Sequence, residues 1–357
     1  MPIANLSHPQ VPVCDVIING KPWAAEVRAH VASVSVNENL DVPAMFSLTL
    51  YGHEGGGNKL PWLEDQALFA IGSEVKVKLG YGDELETMTT GEIIALDPQF
   101  FRDSASILTV RGYDRLHRLQ RGSKTRTFKQ VKDSDIASQI ASDAGLTGDA
   151  VDSQVTHDYM IQANKTDLAF LLERARAIKY EVLVDDKTLI FRPVANTEGE
   201  SLTLSLEADL LEFRPNLSSS GQVSEASVRG WSAQDKKEIV GKAKAGDEGS
   251  TMGGSQSGVA LTEDKFGSAA GVIATQPVMS QAEADQMAKA LLQKTALSLI
   301  TGSGSCFGRT DLRPGKVVVI EGVGEMFSGK YYVTQATHSY SQQGGYRTSF
   351  YVRRNAV

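Results

Sequence analysis

The sequence predicts a mainly β protein with α+β insertions, in which two small antiparallel β-barrels are accompanied by helical modules. Three observations carry this expectation. Short alternating apolar runs fill residues 12–120 and return near the C-terminus. Helical periodicity is confined to stretches within 121–200 and 277–300. The 33 glycines and an aromatic content of only 7% favour many turns and short strands. A chain of 357 residues also exceeds the size at which one core stops growing, so several modules are expected.

Taken in order, residues 1–11 contain Pro2 and Pro9 without periodicity and read as an N-terminal arm. Strand signals begin at Cys14, with Val16 and Ile18 ahead of a turn at Asn19-Gly20, and continue through Val27, Val31, Val34 and Val36. Phe46, Leu48 and Leu50 alternate with Ser47 and Thr49, as a half-buried strand requires. Val75, Val77 and Leu79 repeat the pattern, a Gly80-Tyr81-Gly82 turn follows, and Met88–Leu96 and Phe100–Val110 complete the set. Such strands must hide their edges, so residues 12–120 are expected to form the first barrel.

The stretch Val110–Gln120 joins this module to the next. Gly112 is expected there to relax the backbone, and Leu116 and Leu119 lie one helical turn apart. Residues 121–200 read as an α+β module. Asp133 or Ser134 can cap a helix bearing Ile136, Ile140 and Ala144, closed by Gly145; a second helix starts at Thr166; a hairpin turns at Asp185-Asp186-Lys187. The second barrel is expected from 201–235 combined with 301–357. Between them, 236–300 reads as a mobile Gly/Ser-rich loop, with a strand at Gly271–Thr275, followed by a helix that a capping box, Ser280 to Glu283, opens.

Composition narrows function. A net charge of −7, from 43 acids and 36 bases, argues against specific nucleic-acid binding. No apolar run approaches a membrane span and no leader-type segment is present, so a soluble chain made in the cytoplasm, without membrane insertion of its own, is expected. Cys14 and Cys306 have no metal-type spacing and read as small buried hydrophobes. The six histidines form no pair that would place two ligands on one helix face, so neither a metal nor a cofactor is expected. Gly55–Lys59 lacks the frame of a phosphate loop, and Met252–Gly258 holds no nucleophile elbow. Asp83, Glu84 and Glu86, and likewise Asp185 and Asp186, read as turn residues rather than a glycosidase pair, leaving no catalytic residue to nominate. His338 reads as a satisfied barrel histidine and His117 as part of the joint. The basic run Arg111, Arg115, Arg118, Arg121, Lys124 and Arg126 lies beside Leu116, Leu119, Phe128 and Asp114, which suits a protein contact or ion pairs between modules. Arg111, Tyr113, Asp114, Arg115, Arg118, Arg121 and Arg126 are therefore the candidate interface residues.

The segment Arg111-Gly-Tyr-Asp-Arg-Leu-His-Arg-Leu119, with Thr125–Phe128, Asp135–Ala137 and Asn164–Leu171, resembles the late control protein D family of contractile-tailed phages. That family includes the hub half of VgrG-like spikes. Leu312–Gly315, Gly329–Val333, His338 and Gly345–Thr348 are similar to its C-terminal barrel. The resemblance spans nearly the whole chain, and the order and spacing of these segments carry it.

The resemblance implies a non-enzymatic baseplate hub with two barrels of the phage tail hub type: a homotrimer contacting an inner tube protein ring, a trimeric spike and other baseplate proteins, assembled into a virion or injection particle. A chain ending at Val357 without a repetitive β-helix implies that the spike is a separate protein. Two other classes compete. A cell-wall glycan hydrolase of the baseplate would need the missing acid pair, and a glycan-binding module would need aromatic platforms, whereas Trp23, Trp62 and Trp231 are far apart.

Overall fold

The computed structural model describes residues 11–52, 60, 68–196, 202–232, 236–274 and 278–357. The expected arm lies outside these residues apart from Val11, as do the Gly55–Lys59 run and Trp62.

The first strands are β1 (Pro12–Ile18), β2 (Lys21–Pro22), β3 (Val31–Asn39), β4 (Val42–Tyr51), β5 (Glu74–Tyr81), β6 (Glu84–Gln99) and β7 (Ile107–Asp114), with a short helix α1 (Ala25–Ala29) before β3. Asn19 and Gly20 both take positive φ, 49° and 78°, which matches the twist of the tight β1–β2 turn. The strands pair in the order β3-β4-β7-β6-β5-β1-β2. Val16, Val36, Phe46, Leu48, Val77 and Leu108 are fully buried in one core drawn from strands at both ends of this order, so the sheet curls around them.

A 3-10 turn (Arg115–Gln120) leads to β8 (Lys124–Lys132), α2 (Asp133–Asp143), β9 (Thr147–Ala150), β10 (Thr156–Lys165), α3 (Asp167–Ala177), β11 (Tyr180–Asp185) and β12 (Thr188–Pro193). The start of α2 falls one residue before the expected caps: Lys132 is the cap residue, and its backbone N–H donates to the Asp135 carboxylate at 2.9 Å. Gly145 takes φ 71° just beyond the helix, and the Thr166 hydroxyl accepts from the Ala169 N–H at 3.2 Å to start α3. Ile136, Ile140, Leu168, Leu171 and Phe191 share the core of this segment.

The remaining elements are β13 (Leu202–Ser205), β14 (Leu210–Leu217), β15 (Glu225–Ser232), β16 (Lys237–Lys244), α4 (Gly258–Phe266), β17 (Ala270–Ile273), α5 (Gln281–Ala296), β18 (Ile300–Phe307), β19 (Val317–Glu321), β20 (Gly329–Ser341) and β21 (Gly345–Arg354). β14, β18, β21 and β20 pair in that order, and β20 then pairs with β3, so one 13-stranded sheet runs through both β regions. β20 is the shared strand. Its first residues lie against β19, Val317–Ile320, and its later ones, Gln335–Ser341, lie on the same edge against Asn39–Ser33 of β3. The second β region has its own core of Leu204, Ile300, Val318, Tyr331, Val333 and Phe350.

Among the described residues neither β region closes into a barrel by backbone pairing. The path ends at β2 and β14, and β13 ends the branch through β19. The inner edges are instead covered where the two regions join through β3 and β20.

The stretch expected to be a mobile loop differs most from the sequence reading. Residues 237–244 and 258–266 form β16 and α4, and β15 leaves the second β region to make a separate sheet in the order β16-β15-β17. The buried positions of β16 are Ile239, Gly241 and Ala243, which read as low complexity. The smallness of Gly241 and Ala243 has a purpose, because a Cβ on Gly241 would stand 2.1 Å from the Ala284 carbonyl oxygen of α5. Close helix-on-sheet packing thus required residues that carry no strand signal. α5 opens as expected, with the Ser280 hydroxyl accepting from the Glu283 N–H at 3.2 Å.

Candidate functional site

The joint begins where β7 ends. Asp114 is buried and caps the 3-10 turn: its carboxylate accepts from the Leu116 N–H and, across the sheet, from the Ala44 N–H, each at 2.9 Å. Burial pushes its carboxyl up to about 7, with the charge of Glu38 adding, against the pull of the two N–H donors. A raised carboxyl in the folded state contributes stability that is fully present below the unfolded value and is lost as pH rises through about 7. The side-chain carbon signal of Asp114 is therefore expected to titrate near neutrality in carbon NMR, and to vanish in Asp114→Asn; titration in the ordinary carboxylate range would contradict this.

Arg115 is 3% exposed and donates to Glu74 of β5 and to Asp186 in the β11–β12 turn, fastening the first β region to the α+β segment. Its partners are half exposed, so Arg115→Met is expected to cost only about 1–2 kcal/mol in urea unfolding, near the range of a charged hydrogen bond. Arg118 reaches Glu92 of β6, with Nε to Oε2 at 3.0 Å. Burial alone would raise the Glu92 carboxyl, but the Arg118 guanidinium, with His117 and Arg115 behind it, holds it below its usual range. His117 Nδ1 lies 2.7 Å from the Asp114 carbonyl oxygen, and the Tyr113 and His117 rings are 6.4 Å apart.

The other candidates divide. Arg111 pairs with Asp97 of its own sheet, Nε to Oδ2 at 2.7 Å, and Arg121 is exposed. Arg126 works inside the α+β segment, donating to Gln162 at 2.8 Å, Asp143 at 2.6 Å and Asp167 at 2.8 Å. Arg115 and Arg118 are thus committed to acids of other elements of this chain; Arg111, Arg118, Arg121 and Lys124 are exposed, and Arg115 is the buried member of the run.

Two further clusters were not legible from spacing. Arg313 bridges the two β regions, donating to Glu38 of β3 and to the Met88 carbonyl at 2.7 Å. Fully buried His338 stands beside it, with Nδ1 2.9 Å from the Tyr346 hydroxyl and Nε2 3.6 Å from Glu38. Burial opposes ionisation of Glu38, yet His338 and Arg313 hold its carboxyl below the usual range.

The second cluster joins the α+β segment to α5. Arg174 donates to Asp133 through Nε at 2.6 Å and Nη2 at 3.1 Å; His157 Nε2 is 3.1 Å from Asp133, and its Nδ1 is 3.5 Å from Glu283. All four side chains are buried. Two members carried a signal for another role, Asp133 as a candidate helix cap and Glu283 as the acid of a capping box. The Glu283 carboxylate accepts from the Met279 N–H at 3.0 Å and turns its other oxygen toward His157 and Arg174. Among the described residues no group of three or more His, Cys, Asp or Glu is arranged to hold a metal ion, and no helix is long and apolar enough to cross a membrane. Cys14 and Cys306 are free and buried, and burial pushes both thiols up to about 12.

The family model described as Alg8_N, Alg8 N-terminal domain, matches residues 9–342. The chain belongs to this family. No curated protein matches the chain in sequence. Its fold is shared with phage tail proteins. A 43 kDa tail protein of prophage MuSo2 from Shewanella oneidensis aligns at TM-score 0.72 and 13% identity, covering 96% of this chain and 98% of that one. A tail protein from Neisseria meningitidis aligns at 0.69 and 13%, covering 96% and 97%. An E. coli component of the type VI secretion system aligns at 0.59 and 12%, covering 92% of this chain and 74% of its own. The family is thus described differently from the late control protein D family that the joint motifs resemble, and the fold is shared with phage tail proteins but, among the described residues, without the two closed barrels that the resemblance implied.

Proposed function

We propose that this chain is a structural, non-enzymatic hub of a contractile phage tail or phage-tail-like injection system. In this reading it is a homotrimer that adapts a hexameric inner tube to a separate trimeric spike and contacts other baseplate proteins. The observation that carries the proposal is the shared strand β20, which holds two β regions with separate cores in one sheet. A three-fold assembly can meet a six-fold ring with comparable contacts when each subunit presents two similar surfaces in fixed relation. Residues 12–120 would supply one surface. The second would come from 201–217 and 300–357, with 121–196 and the β15–α5 region outside the ring.

The ion pairs of the joint support the rigidity this role needs. Arg115, through Asp186, and Arg313, through Glu38, bind acids of other modules and so fix modules against one another, while Arg118 and Glu92 brace the joint within the first β region. The acids weighed for glycan hydrolysis support a non-enzymatic role: Asp186 is bound to Arg115, and Asp83 and Glu84 stand in the exposed β5–β6 turn. Light scattering on the purified chain, alone and mixed with its spike partner, tests the proposal. A mass of three chains in either sample is expected, and a monomer in both would overturn it.

A further inference from the structure

A cavity of about 160 Å³ opens where α3, β11, α5 and β20 meet, away from the joint. Its floor is apolar, formed by Leu172, Ala175, Val194 and Leu297. Its walls bring together four cationic side chains from separate elements: Arg176, Lys179, Lys294 and Arg353. This concentration is unexpected in a chain of net charge −7 whose other arginines mostly have acidic partners.

The acids nearby do not balance these cations. Arg176 donates to Asp41 at 2.8 Å, an exposed pair. Glu181, the other acid of the lining, is buried and already accepts from Arg192 Nε at 2.8 Å and from the Tyr332 hydroxyl. Among the described residues Lys179, Lys294 and Arg353 make no ion pair, and the polar partner of Lys179 is the Asn196 amide oxygen at 3.4 Å. Lys179 sits deep enough for burial alone to pull its ammonium below its usual range, so an anion beside it would recover an electrostatic cost that the protein itself does not offset.

We propose that this cavity binds an amphiphilic carboxylate: an aliphatic or aromatic side chain on the Leu172–Leu297 floor, and a carboxylate between Lys179, Lys294 and Arg353. A polypeptide C-terminus ending in an apolar residue and a free hydrophobic acid share this chemistry. The volume accommodates one such residue rather than a folded segment. The assignment does not depend on the hub reading.

Calorimetric titration of the full chain with N-acetyl-leucine, with N-acetyl-leucinamide, and with a short peptide ending in leucine, free or amidated, tests it. The free carboxylates are expected to bind at least about tenfold more tightly than their amides. A peptide that binds more tightly than N-acetyl-leucine assigns the site to chain termini, and equal affinity assigns it to small acids. Lys179→Met should weaken binding by about tenfold or more, and exposed Arg353→Gln serves as a second variant should the first fail to fold. Equal binding of amide and carboxylate, equal binding of inorganic phosphate, or no binding of any probe at millimolar concentration would overturn the assignment.

Discussion

Arg174→Met is expected to destabilise the protein by about 3–5 kcal/mol at neutral pH, because it leaves the buried Asp133 and Glu283 carboxylates without their shared cation. Burial alone would raise the Asp133 carboxyl, but hydrogen bonds from His157 and Arg174 hold it below its usual range. In the native chain its contribution is therefore present above the ordinary carboxylate value and is lost as pH falls through the depressed one. Without Arg174 the sign reverses: burial dominates, and protonation relieves the folded state. The gap between native and variant chains in urea unfolding should thus narrow from pH 7 toward pH 4. A gap that stays constant would show that the cluster acts by packing rather than by charge.

Gly112→Ala is the second large effect, at about 3 kcal/mol or more, the upper end of what overpacking costs. A Cβ there would stand 2.1 Å from Cζ of fully buried Phe46 and 2.3 Å from the Glu92 carbonyl oxygen. β7 is paired on both sides, with β4 and β6, so the backbone has nowhere to retreat. Phe46→Leu should recover part of the loss when combined with Gly112→Ala, since it removes the ring but not the carbonyl. Thermal unfolding of the single and double variants measures both, and a single-variant cost below about 1 kcal/mol would contradict the packing argument.

Gly112 also illustrates what a sequence does and does not disclose. Its position in the joint was legible, but freedom of φ was the wrong reason for it; the residue takes no positive φ and is needed for space beside Phe46. Strands such as β4, with Phe46, Leu48 and Leu50 inward, announced themselves because one face is apolar and the other polar. β16 did not, because its inward Gly241 and Ala243 are small in order to admit α5. Closed barrels were expected because exposed edges are costly, whereas β20 hides the inner edges by pairing with β3, a contact between residues about 300 positions apart that no local pattern encodes.

The candidate site divides in the same way. The basic run was visible as a run; an ion pair between modules occurs at Arg115 with Asp186, whereas Arg118 pairs with Glu92 inside the first β region. The Asp133, His157, Arg174 and Glu283 cluster was not visible, because its members come from four different elements and are assembled only by packing. The cationic cavity likewise draws Lys179, Lys294 and Arg353 from segments with no shared motif.

Three-dimensional image reconstruction of the purified oligomer by electron microscopy tests the hub proposal most directly. The expected particle has three-fold symmetry and a ring of six β modules, two from each chain, with α2, α3 and α5 on its periphery. A particle in which each chain contributes one β region to the ring, or in which six chains form it, would contradict the proposed role of β20 as the strand that presents two equivalent surfaces.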